Sequence, residues 1–351
     1  MRSPARSFLR TSLLVASTTL LAAPALAQEA SFSSPRNPFI CRNPKGVAGS
    51  ITEFNLPSAG AAPSGITVGP DLNLWFVESS AGKVGRSTRN GVVTEFSLPT
   101  AFSFPKAITP SLDGNLWFTQ LAVDQIGRIT PQGAVTEFPL PTRGVSPHGI
   151  TAGLDGNVWF TELTGNRIGR ITPEGTVTEF AIPTPDSLPM DIAVGGDGNL
   201  WFTEFIGNKI GVITAEGTVT EYALPTPFSG PSSITVGFDG AMWFTEQFTG
   251  RIGRITRDGV ITEYALTNPA SEPADITLGP DGALWFVELQ GNAIGRITLD
   301  GAITEYALPT QNSQPAGITF APPGFICLDA HLWFTESGSG KLGRIRAVTV
   351  P

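Results

Sequence analysis

Six of the chain's seven tryptophans, Trp75, Trp117, Trp159, Trp201, Trp243 and Trp285, stand 42 residues apart, and the seventh, Trp333, follows after 48. A second marker, Thr-Glu followed by Phe or Tyr, places Glu53, Glu95, Glu137, Glu179, Glu221, Glu263 and Glu305 at the same 42-residue interval. A period of this length belongs to propeller blades or solenoid units, and residue type decides between them. One unit, Gly149–Pro183, reads GITAGLDGNVWFTELTGNRIGRITPEGTVTEFAIP. It divides into four short strands, GITAG, NVWFTE, RIGRIT and TVTEFAI, separated by LDG, LTGN and PEG. The Asp-Gly and Glu-Gly pairs supply the positive φ of tight hairpins. No segment keeps a helical period. The second strand is apolar on both faces (Val158, Trp159, Phe160), which suits a sheet packed between two neighbours rather than one facing water. The sequence therefore predicts an all-β, seven-bladed β-propeller of four-stranded blades over residues 51–351.

Counting strands shows how such a ring closes. The last unit holds GITFA, HLWFTE and KLGRIRAV but no full fourth strand, whereas the chain opens on ITEFNLP without preceding partners. The N-terminal strand is expected to complete the final blade, which removes two open sheet edges. The longer last interval arises from APPGFICLDAHLW, which contains Cys327; the only other cysteine, Cys41, sits in a Pro/Ser-rich leader over residues 28–50. One cysteine on each side of the seam suggests a disulfide, against the alternative of two free thiols.

Arg2, Arg6 and Arg10, the apolar stretch Leu13–Leu26 and the small residues Ala25 and Ala27 read as a secretory signal peptide over residues 1–27, cut after Ala27. The chain is then secreted or periplasmic. No later segment has the unbroken apolar length of a membrane span, so no membrane insertion is expected. The net charge is −8, and the three leader arginines leave with the signal, making the remainder more acidic still. With no basic cluster it lacks the footprint of a nucleic-acid binder.

The repeat consensus, GIT-x-G-x-DGN-x-WFTE followed by GN-x-IGRIT and TE[FY]-x-[LI]P-TP, resembles the virginiamycin B lyase (streptogramin B lyase) family over Ile51–Arg346. The resemblance implies a metal-dependent carbon–oxygen lyase. Such an enzyme opens a cyclic depsipeptide lactone by removing a proton α to a carbonyl, with Mg²⁺ holding and polarising the ring. It also implies histidines at the P-H-[AG]-I position of the last two blades. Here those positions read EPADIT and QPAGIT, so the matching residues are Ala274 and Ala316.

The seven equivalent positions are Ser64, Lys106, His148, Met190, Ser232, Ala274 and Ala316. They vary on a constant framework, as an asymmetric binding site requires. His148 is the candidate catalytic base or metal ligand, against a bland reading as a loop-tip side chain held by a neighbour. Ser64, Lys106, Glu162, Asp191, Ser232, Asp275 and Glu336 are the ligand-face candidates. The glutamates that end each second strand could instead be structural, since a residue repeated in six blades usually is. His331, the other histidine, is placed on the opposite face. The IGR arginines, Arg170 among them, are expected across from the Thr-Glu glutamates. Two functions fit: a lyase with its site rearranged around His148, or a non-catalytic cell-envelope propeller that binds a small molecule or peptide at its mouth. A monomer is expected in either case.

Overall fold

The computed structural model describes residues 49–321 and 330–347. Residues 1–27, nearly all of the 28–50 leader with Cys41, and Cys327 lie outside the described residues. No helix among the described residues is long and apolar enough to cross a membrane.

The described residues form seven antiparallel four-stranded sheets and contain no helix. Blades 1 to 6 span Pro63–Ser97, Pro105–Pro139, Pro147–Ala181, Pro189–Ala223, Pro231–Ala265 and Pro273–Ala307. Blade 7 takes its three inner strands from Pro315–Arg346 and its outer strand from Ile51–Asn55. The closing register pairs Ile51 with Ile345 and Asn55 with Lys341, as the strand count predicts.

Blade 3 shows why the repeat folds this way. Its strands are Pro147–Ala152, Val158–Glu162, Arg167–Ile171 and Val177–Ala181. Every residue of the second strand is buried. Trp159 packs into blade 4 with Ile192, Leu200 and Phe202, while Phe160 packs into the layer that holds Trp117 of blade 2. Each blade thus sends one aromatic forward and one back. Fully burying a side chain of that size stabilises by about 1.5–3 kcal/mol. Gly169 lies directly over the Phe160 ring, where an added Cβ would stand 2.1 Å from it, so the glycine of IGR is a packing requirement. The aspartate of the first turn has a role as well: Trp159 Nε1 donates to Asp155 at 3.2 Å.

The arginine of IGR does not face the Thr-Glu glutamate. Glu179 is opposite Gly169, and Arg170 is opposite Thr178. Arg170 instead lies 5.3 Å from the Trp159 ring centroid and 5.5 Å from that of Phe180, and donates to Ala215 O of blade 4. Glu179 takes its cation from Arg167, three residues earlier, at 3.4 Å. The same register explains why Val212 replaces an arginine without consequence for Glu221, which pairs with Lys209 at 2.8 Å.

Candidate functional site

The inner strand of every blade is irregular at one place. In blade 3, Pro147 pairs with Glu162 and the next pair is Ile150 with Phe160, so His148 and Gly149 together oppose Thr161. This is a β-bulge, a device that bends a strand and re-aims its side chains. Ser146, just before the proline, sits at φ 51°, so the chain turns sharply as it enters the strand. The bulge is pinned from both sides. Gly149 N–H donates to Thr161 Oγ1 at 2.8 Å, and that hydroxyl donates onward to Met190 O of blade 4 at 3.0 Å. Thr119, Thr203, Thr245 and Thr335 repeat the relay.

The bulges aim two residues per blade at the axis, and these line one cavity of about 130 Å³. Ser64, Lys106, His148, Met190, Ser232, Ala274 and Ala316 all reach it, so the variable positions do converge on one mouth. The second bulge residues, including Asp191, Ser233 and Asp275, line it too. His331 pairs with Ala321 and Arg346 at the other end of its strand, away from Glu336 and the mouth.

His148 Nδ1 lies 2.9 Å from Met190 O. A carbonyl only accepts, so Nδ1 carries the hydrogen, and in the neutral ring Nε2 keeps the lone pair. Burial, then the Lys106 charge, push the imidazole down to about 3, against the Met190 hydrogen bond. The ring is therefore neutral at physiological pH.

Lys106 faces this cavity without a hydrogen bond or ion pair among the described residues. It keeps some contact with the channel but is otherwise enclosed by protein. Burial pushes its ammonium down, and Asp275 and then Asp191 pull it back up. Those two carboxylates sit on blades 6 and 4 and are held by blade 5 between them. Ser233 Oγ is 2.8 Å from Asp191 Oδ2 and 2.8 Å from Asp275 Oδ1. The hydroxyl has one proton for two acidic neighbours. Burial, then the Asp191 charge, raise Asp275 to about 6, opposed by the Ile318, Ser233 and Ile276 donors. Burial likewise raises Asp191 against the Ser233, Ile234 and Ile192 donors and Lys106.

Glu162 and Glu336 do not line the cavity. Both are 0% exposed, buried at the ends of their second strands. Ser232 reaches the cavity as expected, but its neighbour Ser233 makes the bonds. The bulge explains this: both of its residues turn inward, so strand alternation misassigns the second.

Mg²⁺, which the family resemblance implies, does not suit the donors present. A hard cation of this kind needs several oxygens free to turn toward it. Asp191 and Asp275 already accept from Ile192, Ile234, Ile276, Ile318 and Ser233, and the Lys106 ammonium shares their cavity. Among the described residues no group of three or more His, Cys, Asp or Glu side chains could hold a metal.

Fold and site together define a seven-bladed β-propeller whose axial mouth carries a neutral imidazole, an ammonium and a hydroxyl-bridged carboxyl pair. The chain belongs to the virginiamycin B lyase family, whose model matches residues 28–237 and 187–349. A solved streptogramin B lyase is 41% identical, covers 85% of this chain and 97% of its own, and superposes with a TM-score of 0.80. A catalytically inactive histidine-to-alanine variant of virginiamycin B lyase from Staphylococcus aureus, solved with quinupristin, is 40% identical, covers 85% of this chain and 99% of its own, with a TM-score of 0.79. Hydrazine synthase from Kuenenia stuttgartiensis shares the fold at 16% identity, with a TM-score of 0.70, covering 84% of this chain and 98% of its own. Comparison with curated proteins gives no match.

Proposed function

We propose that this chain is a carbon–oxygen lyase acting on a carboxylic ester or lactone, cyclic depsipeptides included, with His148 as its base. The supporting observation is the 2.9 Å contact from His148 Nδ1 to Met190 O, which fixes the tautomer and leaves Nε2 as a proton acceptor in the channel. In the reaction Nε2 takes the proton α to a carbonyl. The electron pair of that C–H bond forms the Cα=Cβ double bond, and the Cβ–O bond breaks with its pair going to the departing carboxylate. No water is consumed. Support also comes from the relatives, a streptogramin B lyase and an inactive histidine variant of virginiamycin B lyase bound to quinupristin. The reading includes export after cleavage near Ala27, a Cys41–Cys327 disulfide across the seam, and a monomer as the working unit.

A second reading, a propeller that binds a ligand in this channel without turning it over, is favoured by Ala274 and Ala316 standing where the resemblance puts histidines. One experiment separates them. The protein is incubated with quinupristin, with and without Mg²⁺, alongside His148→Ala. Elimination gives a linear product of unchanged mass, whereas hydrolysis would add one water. Ring opening lost in His148→Ala supports the lyase. Quinupristin bound but intact supports the second reading, and ring opening that persists in His148→Ala removes His148 from the chemistry.

A further inference from the structure

We propose that Lys106 is the resident cation of the channel, whose ammonium holds an oxygen of a carboxylate-class ligand where the family resemblance implies Mg²⁺. As a statement about binding it is independent of turnover; its consequence for the base rests on the lyase reading.

Among the described residues Lys106 has no partner for its charge. It lines the cavity, is hemmed in by protein, and has no acceptor among the described residues. Enclosing a charge without a partner costs several kcal/mol, so the position makes sense when something arrives to meet it. The two carboxylates that share its cavity do not do so: neither hydrogen-bonds nor ion-pairs with the ammonium, and both are held by other donors. Asp191 Oδ1 is held by Ile192 N–H at 2.9 Å and Oδ2 by Ile234 N–H at 3.0 Å. Asp275 Oδ1 is held by Ile276 N–H at 2.9 Å and Oδ2 by Ile318 N–H at 2.7 Å. Ser233 ties the pair together from blade 5. Blade 2, which carries Lys106, lies two blades from Asp191 on blade 4 and three from Asp275 on blade 6 around the ring. The carboxylates therefore favour the charged ammonium from a distance, against burial, and leave its N–H donors for a ligand.

His148 stands on the next blade, and Lys106 is one reason its imidazole is hard to protonate. A ligand anion resting on the ammonium cancels that repulsion. Binding then makes the Nε2 lone pair more basic at the moment a ligand is beside it. The other charged groups lining the cavity are Asp191, on the blade next to His148, and Asp275.

The test uses acetate, small enough for the cavity, and reads binding rather than turnover. The full chain is titrated with acetate while the Lys106 Nζ and His148 ring signals are followed by NMR. Both should move along one saturating curve, and the His148 midpoint should rise. Lys106→Met should bind acetate about ten- to hundred-fold more weakly, the loss of one charge-assisted hydrogen bond, whereas Lys106→Arg should keep most of the affinity. A parallel titration with Mg²⁺ should leave both signals where they were. Acetate affinity unchanged in Lys106→Met, or a wild-type Lys106 signal indifferent to acetate, overturns the proposal. So does saturable Mg²⁺ binding that is lost in Asp191→Asn. Absence of ring opening in quinupristin would leave these binding results untouched, so the two readings fail separately.

Discussion

Gln120 Nε2 donates to Glu137 Oε1 at 2.9 Å, inside blade 2. In the other six blades the Gln120 position is a glutamic acid and the Glu137 position is again glutamate, as in Glu162 and Glu179 of blade 3. An amide can only make that bond by donating. A protonated carboxyl has a hydrogen to offer from the same place, and both Glu162 oxygens are buried without a hydrogen-bond partner among the described residues. Glu162 is pushed up to about 8 by burial first and by the Glu179 charge second; Arg167 opposes the shift and Asp124 adds to it. Glu78, Glu204, Glu246, Glu288 and Glu336 are each raised to about 7. The set that resembles an acidic rim in the sequence is thus a set of buried acids, one in each of six blades, that hold their protons into the neutral range.

Glu162→Gln copies blade 2 into blade 3, and its effect should depend on pH in a defined direction. The unfolded chain releases the Glu162 proton near 4.5, while the folded chain holds it to about 8. Stability is therefore lost as pH rises through this window and levels off above it. The glutamine has no proton to lose. Thermal unfolding should show little difference between the two proteins at pH 4.5 and a gain of about 1–3 kcal/mol for the variant at pH 8. Parallel curves at all pH values would mean that Glu162 is not protonated in the fold.

His148 titrates in the opposite sense. Its folded value, about 3, lies below the ordinary 6.5, so the unfolded chain takes up the proton first. The stability it contributes is present above 6.5 and is lost as pH falls toward 3. Its ring signals should stay those of a neutral, Nδ1-protonated imidazole from pH 8 down to 4.5. A midpoint near 6.5 would remove both the burial argument and the fixed tautomer.

Arg170→Ala should cost more than Arg167→Ala, although Arg167 makes the ion pair. Arg170 covers Trp159 and Phe180 and reaches a carbonyl of the next blade, whereas the Arg167–Glu179 pair is partly exposed and worth about 0.2–1 kcal/mol. Urea unfolding of the two variants gives the order directly, and equal midpoints would argue against the stacking role.

Thr161→Val should loosen the bulge that presents His148. The change removes the acceptor of Gly149 N–H and one of the donors to Met190 O. A buried donor without a partner costs about 1–3 kcal/mol. The loss should appear as lower stability and as faster exchange of the Gly149 amide. Val77 and Val287 occupy the same position in blades 1 and 6, so the variant is sterically acceptable. An unchanged Gly149 exchange rate would show that the bulge needs no pin.

The architecture was readable because it repeats: tryptophan spacing, turn glycines and the missing seventh fourth strand each leave a direct trace in the sequence. The convergence of Ser64, Lys106 and His148 was readable for the same reason. What escaped depends on departures from regular geometry. Strand alternation cannot reveal a bulge, so it marks Ser232 and passes over Ser233, and it places Glu162 and Glu336 at the mouth because their strands end there. The arginine of IGR differs from its expected place by one register step, which is all that separates facing Thr178 from facing Glu179.

The pairing of Ile51–Asn55 with Lys341–Ile345 has a consequence for biosynthesis. The first strand of the ring to leave the ribosome waits for a mate that is among the last. Until then the growing polypeptide is an arc with two bare flanks. A product that stops before Lys341 lacks the mate that Ile51–Asn55 takes in the finished ring.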